Sequence, residues 1–296
     1  MNNNSEPVPE RLRKAMDKSM NLVRSEMGDA EFSRFSELIQ TELGIKMPPT
    51  KKVLLQSRFQ KRLRALGLSG YKEYCDYVFS PEGREQERTH LIDAVTTNTT
   101  HFFREPKHWE IMTGIVLPEL WRRNVGKRGA LRIWSAGCSS GEEPYTLGMV
   151  LHEWAEQRPG FDFAILATDI SGKILAEAKR AVYPMDKVAD VPMQYKKKYM
   201  LKSKDRLRVK MDANLRNKVS FQRLNFMEDF RLRDRQDIIF CRNVVIYFDR
   251  PTQEVLFNKF CNTLQTGGYL FIGHSESLSG MNLPLRQVAP TVFRRL

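Results

Sequence analysis

At 296 residues, 41% of them hydrophobic, the chain has enough apolar material for a sizeable core and more than one domain. Its net charge of +13 would attract an acidic protein, a nucleic acid or an anionic membrane surface, and does not choose among them. No apolar run approaches the roughly 18 residues of a membrane span, the opening MNNNSEPVPERLRKAMDK lacks the apolar stretch of a secretory signal, and four scattered cysteines without a C-x-x-C argue against a disulfide framework and a zinc site. The cytoplasm is the expected compartment, without membrane insertion.

Residues 1–28 read as a polar extension with a short amphipathic piece around Leu12 to Leu22. From Glu31 to Leu43 the spacing of Phe32, Phe35, Leu38 and Ile39 predicts a helix capped by Gly44. A second helix is predicted from Lys51 to Leu66, ending at Gly67, and a third in YKEYCDYVF, 71–79. Together they form a small helical domain over 29–80. SPEGREQER, with Pro81 and Gly83, reads as the start of a linker over 81–97, which includes a helix in HLIDAVTT.

Strand and helix then alternate. ALRIWSAG (130–137), FDFAILATD (161–169), VSFQRLNF (219–226) and DIIFCRN (237–243) are strand candidates. PYTLGMVLHEWAEQ, ISGKILAEAKRAVY and TQEVLFNKFCNTL are the intervening helices, and GGYLFIGHSES with TVFRRL a closing pair of strands. The series predicts an α/β domain over 98–296, a parallel sheet covered by helices with its ligand at the carboxyl ends of the strands. One stretch, about 189–217, breaks the alternation. It carries ten Lys or Arg residues between 194 and 218, and Leu207, Val209 and Met211 alternate with Arg206, Arg208 and Lys210, so it reads as a small antiparallel β insert.

Within this frame WSAGCSSGEEPY (134–145) is a strand running through a glycine-bearing turn into a helix. It is not G-x-G-x-x-G, and Glu142 and Glu143 at the helix start would repel a phosphate. Asp169, ending the second strand, is placed either to accept hydrogen bonds from ribose hydroxyls or to cap the next helix. A nucleoside without a pyrophosphate points to S-adenosylmethionine. In IIFCRNVVIYFDR a polar pair, Arg242 and Asn243, interrupts an apolar run, which reads as a buried strand stopping where a ligand crevice begins.

Five motifs in order, TTNTTHFFRE (96–105), SAGCSSGEEPY (135–145), ATDIS (167–171), FCRNVVIYFD (240–249) and GHSES (273–277), make the chain from about residue 30 onward resemble the CheR-type chemoreceptor glutamate methyltransferases. The resemblance implies a Rossmann-like class I methyltransferase sheet with a helical N-terminal domain, S-adenosyl-L-methionine as cofactor, and methyl-accepting chemotaxis receptors as partners. It implies that Asn98, Thr100 and Arg104 line the cofactor from the linker side. Glu143 and Asp169 would hold its methionine or ribose portion, Asn225 and Phe226 would flank its adenine, and Arg242 with Asn243 would bound the crevice floor. Arg104 and Tyr247 become candidates for the methyl-transfer centre; on residue type alone they read as a surface ion pair with Glu105 or Glu110 and as a core aromatic. Arg58, Lys61 and Arg62, on neighbouring turns of one helix, would dock the acidic helices of a receptor bundle.

The five histidines show no metal-ligand spacing, and His274 reads as a strand-end hydrogen-bonding residue, so no metal is expected. A nucleic-acid methyltransferase and a non-catalytic S-adenosylmethionine sensor are the rival readings. Against the first, Arg242-Asn243-Val244-Val245 lacks the D/N-P-P-Y/F arrangement of amino-methylating nucleic-acid enzymes, and no nucleic-acid partner is expected. In the family some members add a receptor tail peptide as a strand to the insert; here LKSKDRLRV (201–209) turns without the glycine such members carry, so no tail-peptide tether is expected.

Overall fold

The helices Asp29–Leu43, Lys52–Leu66 and Tyr71–Phe79 stand where the apolar spacing predicts them and bury Phe35, Phe59 and Tyr74 against one another, with Phe35 and Phe59 rings 4.7 Å apart and Phe59 and Tyr74 5.1 Å apart. The computed structural model describes residues 26–296, so the amphipathic piece around Leu12 to Leu22 lies outside the described residues. Two units divide the chain at Thr96 and Thr97.

The expected linker over 81–97 is corrected. Nearly all of it is helical: Pro81–Gln86 is a helix not expected from the sequence, and Arg88–Val95 is the one expected in HLIDAVTT. Pro81 and Gly83 do not mark a loop here, because Ser80 is an N-cap accepting from the Gly83 N–H at 3.1 Å and Pro81 occupies the first helical position. Between these helices Glu87 is buried, and the Arg62 guanidinium holds both its oxygens, at 2.7 Å each, while the Tyr74 hydroxyl donates to one at 2.9 Å. Such a bidentate partner offsets the cost of burying a carboxylate. It fastens the segment 80–95 onto the helix Lys52–Leu66.

In the second unit β1 (Leu131–Ala136), β2 (Phe163–Asp169), β6 (Val219–Arg223), β7 (Gln236–Cys241) and β8 (Leu264–Ile272) are parallel, and β10 (Val292–Arg295) runs antiparallel between β8 and β9 (Leu285–Ala289). The order is β6-β2-β1-β7-β8-β10-β9. The chain winds outward from β1 through β2 to β6, then returns to β7 on the other side of β1. Ligands bind beyond the carboxyl ends of strands at such a reversal. The helices Glu142–Glu156, Gly172–Arg180 and Arg250–Thr263 cover the sheet, and Trp134, Ile238, Phe240 and Phe271 are fully buried within it.

Three features differ from the reading of the sequence. The segment before β1 is helical, Pro106–Ile111 and Leu117–Arg122 flanking a π-helical turn at Met112–Val116. Strand β9 is an added edge, largely exposed and so without an apolar pattern. The antiparallel insert, order β3-β5-β4 with β3 at Val182–Pro184, β4 at Met200–Lys202 and β5 at Arg208–Met211, begins before residue 189. Ala181 ends the preceding helix in the left-handed region, at φ 55°, so Val182 and Tyr183 leave the helical pattern and pair with Lys210 and Val209.

Candidate functional site

At the reversal the two central strands stop together, Ser135 of β1 beside Phe240 of β7. Gly137 follows at φ 84°, and a Cβ there would lie 2.5 Å from Cγ2 of Val244, so glycine lets the loops after β1 and β7 approach. The loop is then pinned. Gly137 and Cys138 N–H groups donate to the Thr168 carbonyl at 2.8 Å. Ser139, at φ 49°, donates its N–H to Asp169 Oδ2 at 2.9 Å and its hydroxyl to the Asn98 carbonyl at 2.9 Å.

Asp169 also accepts the Ser171 N–H on Oδ1 at 3.0 Å, but the cap of the next helix is Ser171, whose hydroxyl accepts from Ile174 at 3.2 Å. The capping role weighed for Asp169 thus falls to another residue.

Arg242 answers the question of a charge in an apolar run. Its side chain is 2% exposed, and its Nε donates to Glu143 Oε2 at 2.7 Å. Its Nη1 faces the Arg104 carbonyl at 2.9 Å, His108 Nδ1 at 3.1 Å and Glu105 Oε2 at 3.5 Å. Glu143's other oxygen takes the Ser135 hydroxyl at 2.6 Å. Glu143 and Arg242, both expected against the cofactor, are therefore bonded to each other. His108 is fully buried, and burial, only partly offset by the Glu105 carboxylate, lowers its pKa; its Nδ1 lies between Arg242 Nη1 at 3.1 Å and Glu105 Oε2 at 3.2 Å, and its Nε2 is 2.7 Å from Thr291 Oγ1. Glu105 is held down to about 2: burial acts against this, but the bond to His108, the Arg242 charge and the His274 N–H outweigh it. Glu105, His108 and His274 bring ligand atoms within 4.8 Å of one another, yet the cation that Glu105 and His108 face is Arg242.

Arg104 lies between two residues in the left-handed region, Phe103 and Glu105, both at φ 55°. Its Nη1 donates to the Thr99 carbonyl at 3.1 Å and it makes no ion pair among the described residues. The surface pair weighed for it is absent because Glu105 turns to Arg242 and His108 while Glu110 takes Lys107 at 2.7 Å. Thr100 is half-buried in the same segment.

Asn243, at φ 59°, keeps its Oδ1 buried without a hydrogen-bond partner. Its backbone conformation is fixed by Glu276, which accepts the Val244 and Val245 N–H groups at 2.9 and 3.0 Å and the Gly273 N–H at 2.6 Å. Tyr247 is half-buried in the short turn Val245–Tyr247. Asn225 shapes the exit from β6, its Oδ1 accepting from Met227 N–H at 3.0 Å, and Phe226 packs on Phe260 and Trp134, with ring centres 5.6 and 6.3 Å away. Glu105, His108, Ser139 and Glu276 were not singled out from the sequence, although Glu105, Ser139 and Glu276 lie inside the quoted motifs.

In the helical unit only Lys61 of the expected docking trio is exposed. Arg62 is committed to Glu87, and Arg58 donates to the Val95 carbonyl at the end of the helix Arg88–Val95.

Residues 98–293 match the family model described as CheR methyltransferase, SAM binding domain, and residues 30–96 that described as CheR methyltransferase, all-alpha domain. The chain is 39% identical to a chemotaxis protein methyltransferase of Borreliella burgdorferi over 90% of this chain and 94% of that protein. It is 33% identical to a chemotaxis protein methyltransferase of Escherichia coli over 91% and 92%. Among solved structures, magnesium protoporphyrin IX methyltransferase from Synechocystis with bound SAM is 13% identical over 75% of this chain and 94% of that one, at a TM-score of 0.35, too low to carry an argument.

The crevice fits S-adenosylmethionine by the chemistry of its groups. Two carboxylates, Glu142 and Glu143, stand in the first turn of the helix Glu142–Glu156, the Asp169 carboxyl ends β2, and Asn243 Oδ1 is a buried acceptor with nothing to accept. A ligand with an ammonium, a sulfonium, ribose hydroxyls and an amino group suits such a set, whereas a pyrophosphate does not.

Proposed function

This chain belongs to the CheR methyltransferase family, and on that premise we propose that it methylates glutamate side chains of chemotaxis receptors to give methyl esters, in the cytoplasm. Bound S-adenosylmethionine supplies a methyl group made electrophilic by the sulfonium. The observation that carries the reading is the division of labour between two arginines. Arg242 is buried and neutralised by Glu143 and Glu105, whereas Arg104 at the same crevice has no carboxylate partner among the described residues. An incoming glutamate would be that partner.

A glutamate carboxylate is ionised at neutral pH, so no general base is required. What the chain supplies is orientation and dryness. Arg104 would hold one carboxylate oxygen by a charge-assisted bond, Tyr247 would orient the second oxygen, and Asp169, Asn98 and Asn243 would fix the cofactor. Trp109 and Phe240, buried with their ring centres 5.1 and 5.5 Å from the Arg242 guanidinium, would exclude water from a reaction that annihilates charge. Thr100, Asn225 and Phe226 would complete the cofactor's surroundings.

The helical unit would meet the acidic receptor bundle through exposed Lys61, Arg58 and Arg62 acting mainly to brace the helix. Tail-peptide addition to the insert is disfavoured. Its edge strands β3 and β4 are three residues each, β3 ends in Pro184, and the turn between β4 and β5 is closed by Ser203 and Asp205, Ser203 N–H donating to the Arg208 carbonyl at 2.9 Å. Methylation of receptors with and without tails at equal rates is expected; collapse on tail removal would overturn this part.

The test of the main reading is incubation with methyl-labelled cofactor and receptor-bearing membranes. Label should be released as volatile methanol in mild alkali, as esters allow and N-methyl groups do not. Base-stable label on protein or RNA would overturn it.

A further inference from the structure

At the opposite end of the sheet from the crevice, where β8 begins, lies a cavity of about 320 Å³ lined by Arg123, Arg286, Arg294 and Arg295 together with Thr266, Gly267 and Leu296. We propose that it is a binding site for a phosphate-bearing small molecule of about mononucleotide size, separate from the methyl-transfer site. Four arginines converge there, and among the described residues only one carboxylate, Glu119, forms an ion pair with any of them. Arg286 and Arg294 stand directly opposite each other in the β9–β10 ladder, where like charges repel. Glu119 answers only one of them, reaching Arg294 at 3.0 Å; Arg286 makes no ion pair among the described residues. Arg295 donates through Nη1 to the Leu264 carbonyl, yet its Nε is buried with no acceptor.

The fourth arginine is held in place. Arg123 donates to the Gly267 and Thr266 carbonyls at 2.7 and 3.0 Å, and a Cβ at Gly267, whose φ is 72°, would come 2.6 Å from its Nη1. The turn at the start of β8 thus admits the guanidinium closely and fixes its orientation. A bridging anion would relieve the Arg286–Arg294 repulsion. Guanidinium forks match the paired oxygens of phosphate, and the volume falls at the lower end of small-molecule sites, about 300–1,000 Å³.

The experiment is calorimetry of the full chain with pyrophosphate and with AMP at fixed ionic strength, repeated on Arg286→Glu and Arg104→Ala, with sedimentation against vesicles containing phosphatidylserine in parallel. Saturable one-to-one binding of at least one soluble probe is expected, weakened roughly tenfold or more by Arg286→Glu and unchanged by Arg104→Ala. S-adenosylmethionine binding by Arg286→Glu should equal that of wild type, which shows that the variant is folded. No binding of either probe, equal binding by Arg286→Glu, loss in Arg104→Ala, or binding to vesicles alone would each overturn the proposal.

Discussion

Replacing Glu143 by Gln removes the charge that Arg242 meets at 2.7 Å while keeping size and one acceptor oxygen. Arg242's side chain is 2% exposed, so water cannot take the carboxylate's place. Breaking a buried pair from one side costs about 3–5 kcal/mol. Here Glu105 remains at 3.5 Å and the Arg104 carbonyl at 2.9 Å, which argues for the lower end, about 3 kcal/mol. With a urea slope of about 1–3 kcal/mol per M, the midpoint should fall by roughly 1–3 M. All four tryptophans, Trp109, Trp121, Trp134 and Trp154, lie in the unit after Thr96, so their fluorescence follows that unit alone and the helical unit does not blur the transition. Adding Arg242→Met should restore part of the loss, since it removes the stranded charge and leaves a neutral pair of similar volume. A Glu143→Gln midpoint within the equivalent of about 1 kcal/mol of wild type would refute the reasoning, because the pair would then be worth no more than an exposed one.

Arg104→Ala should reduce turnover far more than cofactor affinity or stability, and Arg104→Lys should restore it only in part, because a fork becomes a point charge; a fully active lysine variant in initial-rate assays rules out bidentate positioning. Asp169→Asn should weaken cofactor binding by roughly 1.5–3 kcal/mol in calorimetry, and unchanged affinity would mean that Asp169 only ties Ser139 to Ser171. Glu105's pKa is depressed on folding, from 4.5 to about 2, so its contribution to stability is complete above 4.5 and is lost as pH falls toward 2. Thermal unfolding across that window should therefore slope less in Glu105→Gln than in wild type, and equal slopes would show that Glu105 is not held by its neighbours.

What the sequence made legible was decided within a few residues of chain. The ends of β1, β2 and β7 could be read because each apolar run breaks off abruptly, at Gly137, Asp169 and Arg242, and a charge at the end of a buried run marks where the strand leaves the core. The partners of those residues could not. Glu143 and Arg242 are 99 positions apart, and their bond exists only because β7 returns beside β1. The same blindness gave Arg62 a role at the surface: on a helical wheel it belongs to a basic cluster, and nothing local announces that Glu87, 25 positions on, will be buried beneath it. Ser80-Pro81 misled for a different reason, since serine and proline signal a helix start as readily as a turn.

The two arginines are also mechanically joined. Arg242 Nη1 donates to the carbonyl of Arg104, across 138 positions, and thereby holds the turn Phe103–Glu105, whose flanking residues both sit at φ 55°. Such backbone persists only where its surroundings over-determine it, at about 1–3 kcal/mol per residue. The Glu143–Arg242 pair, His108 with Thr291, and Glu105 with His274 are those surroundings here. Glu276 does the same for Asn243 from the other side of the crevice. The charges buried beneath the site thus do little by touching a substrate; they hold Arg104 and Asn243 in conformations that an unassisted chain would abandon, which is why so many ionisable residues could be afforded in the interior of one small crevice.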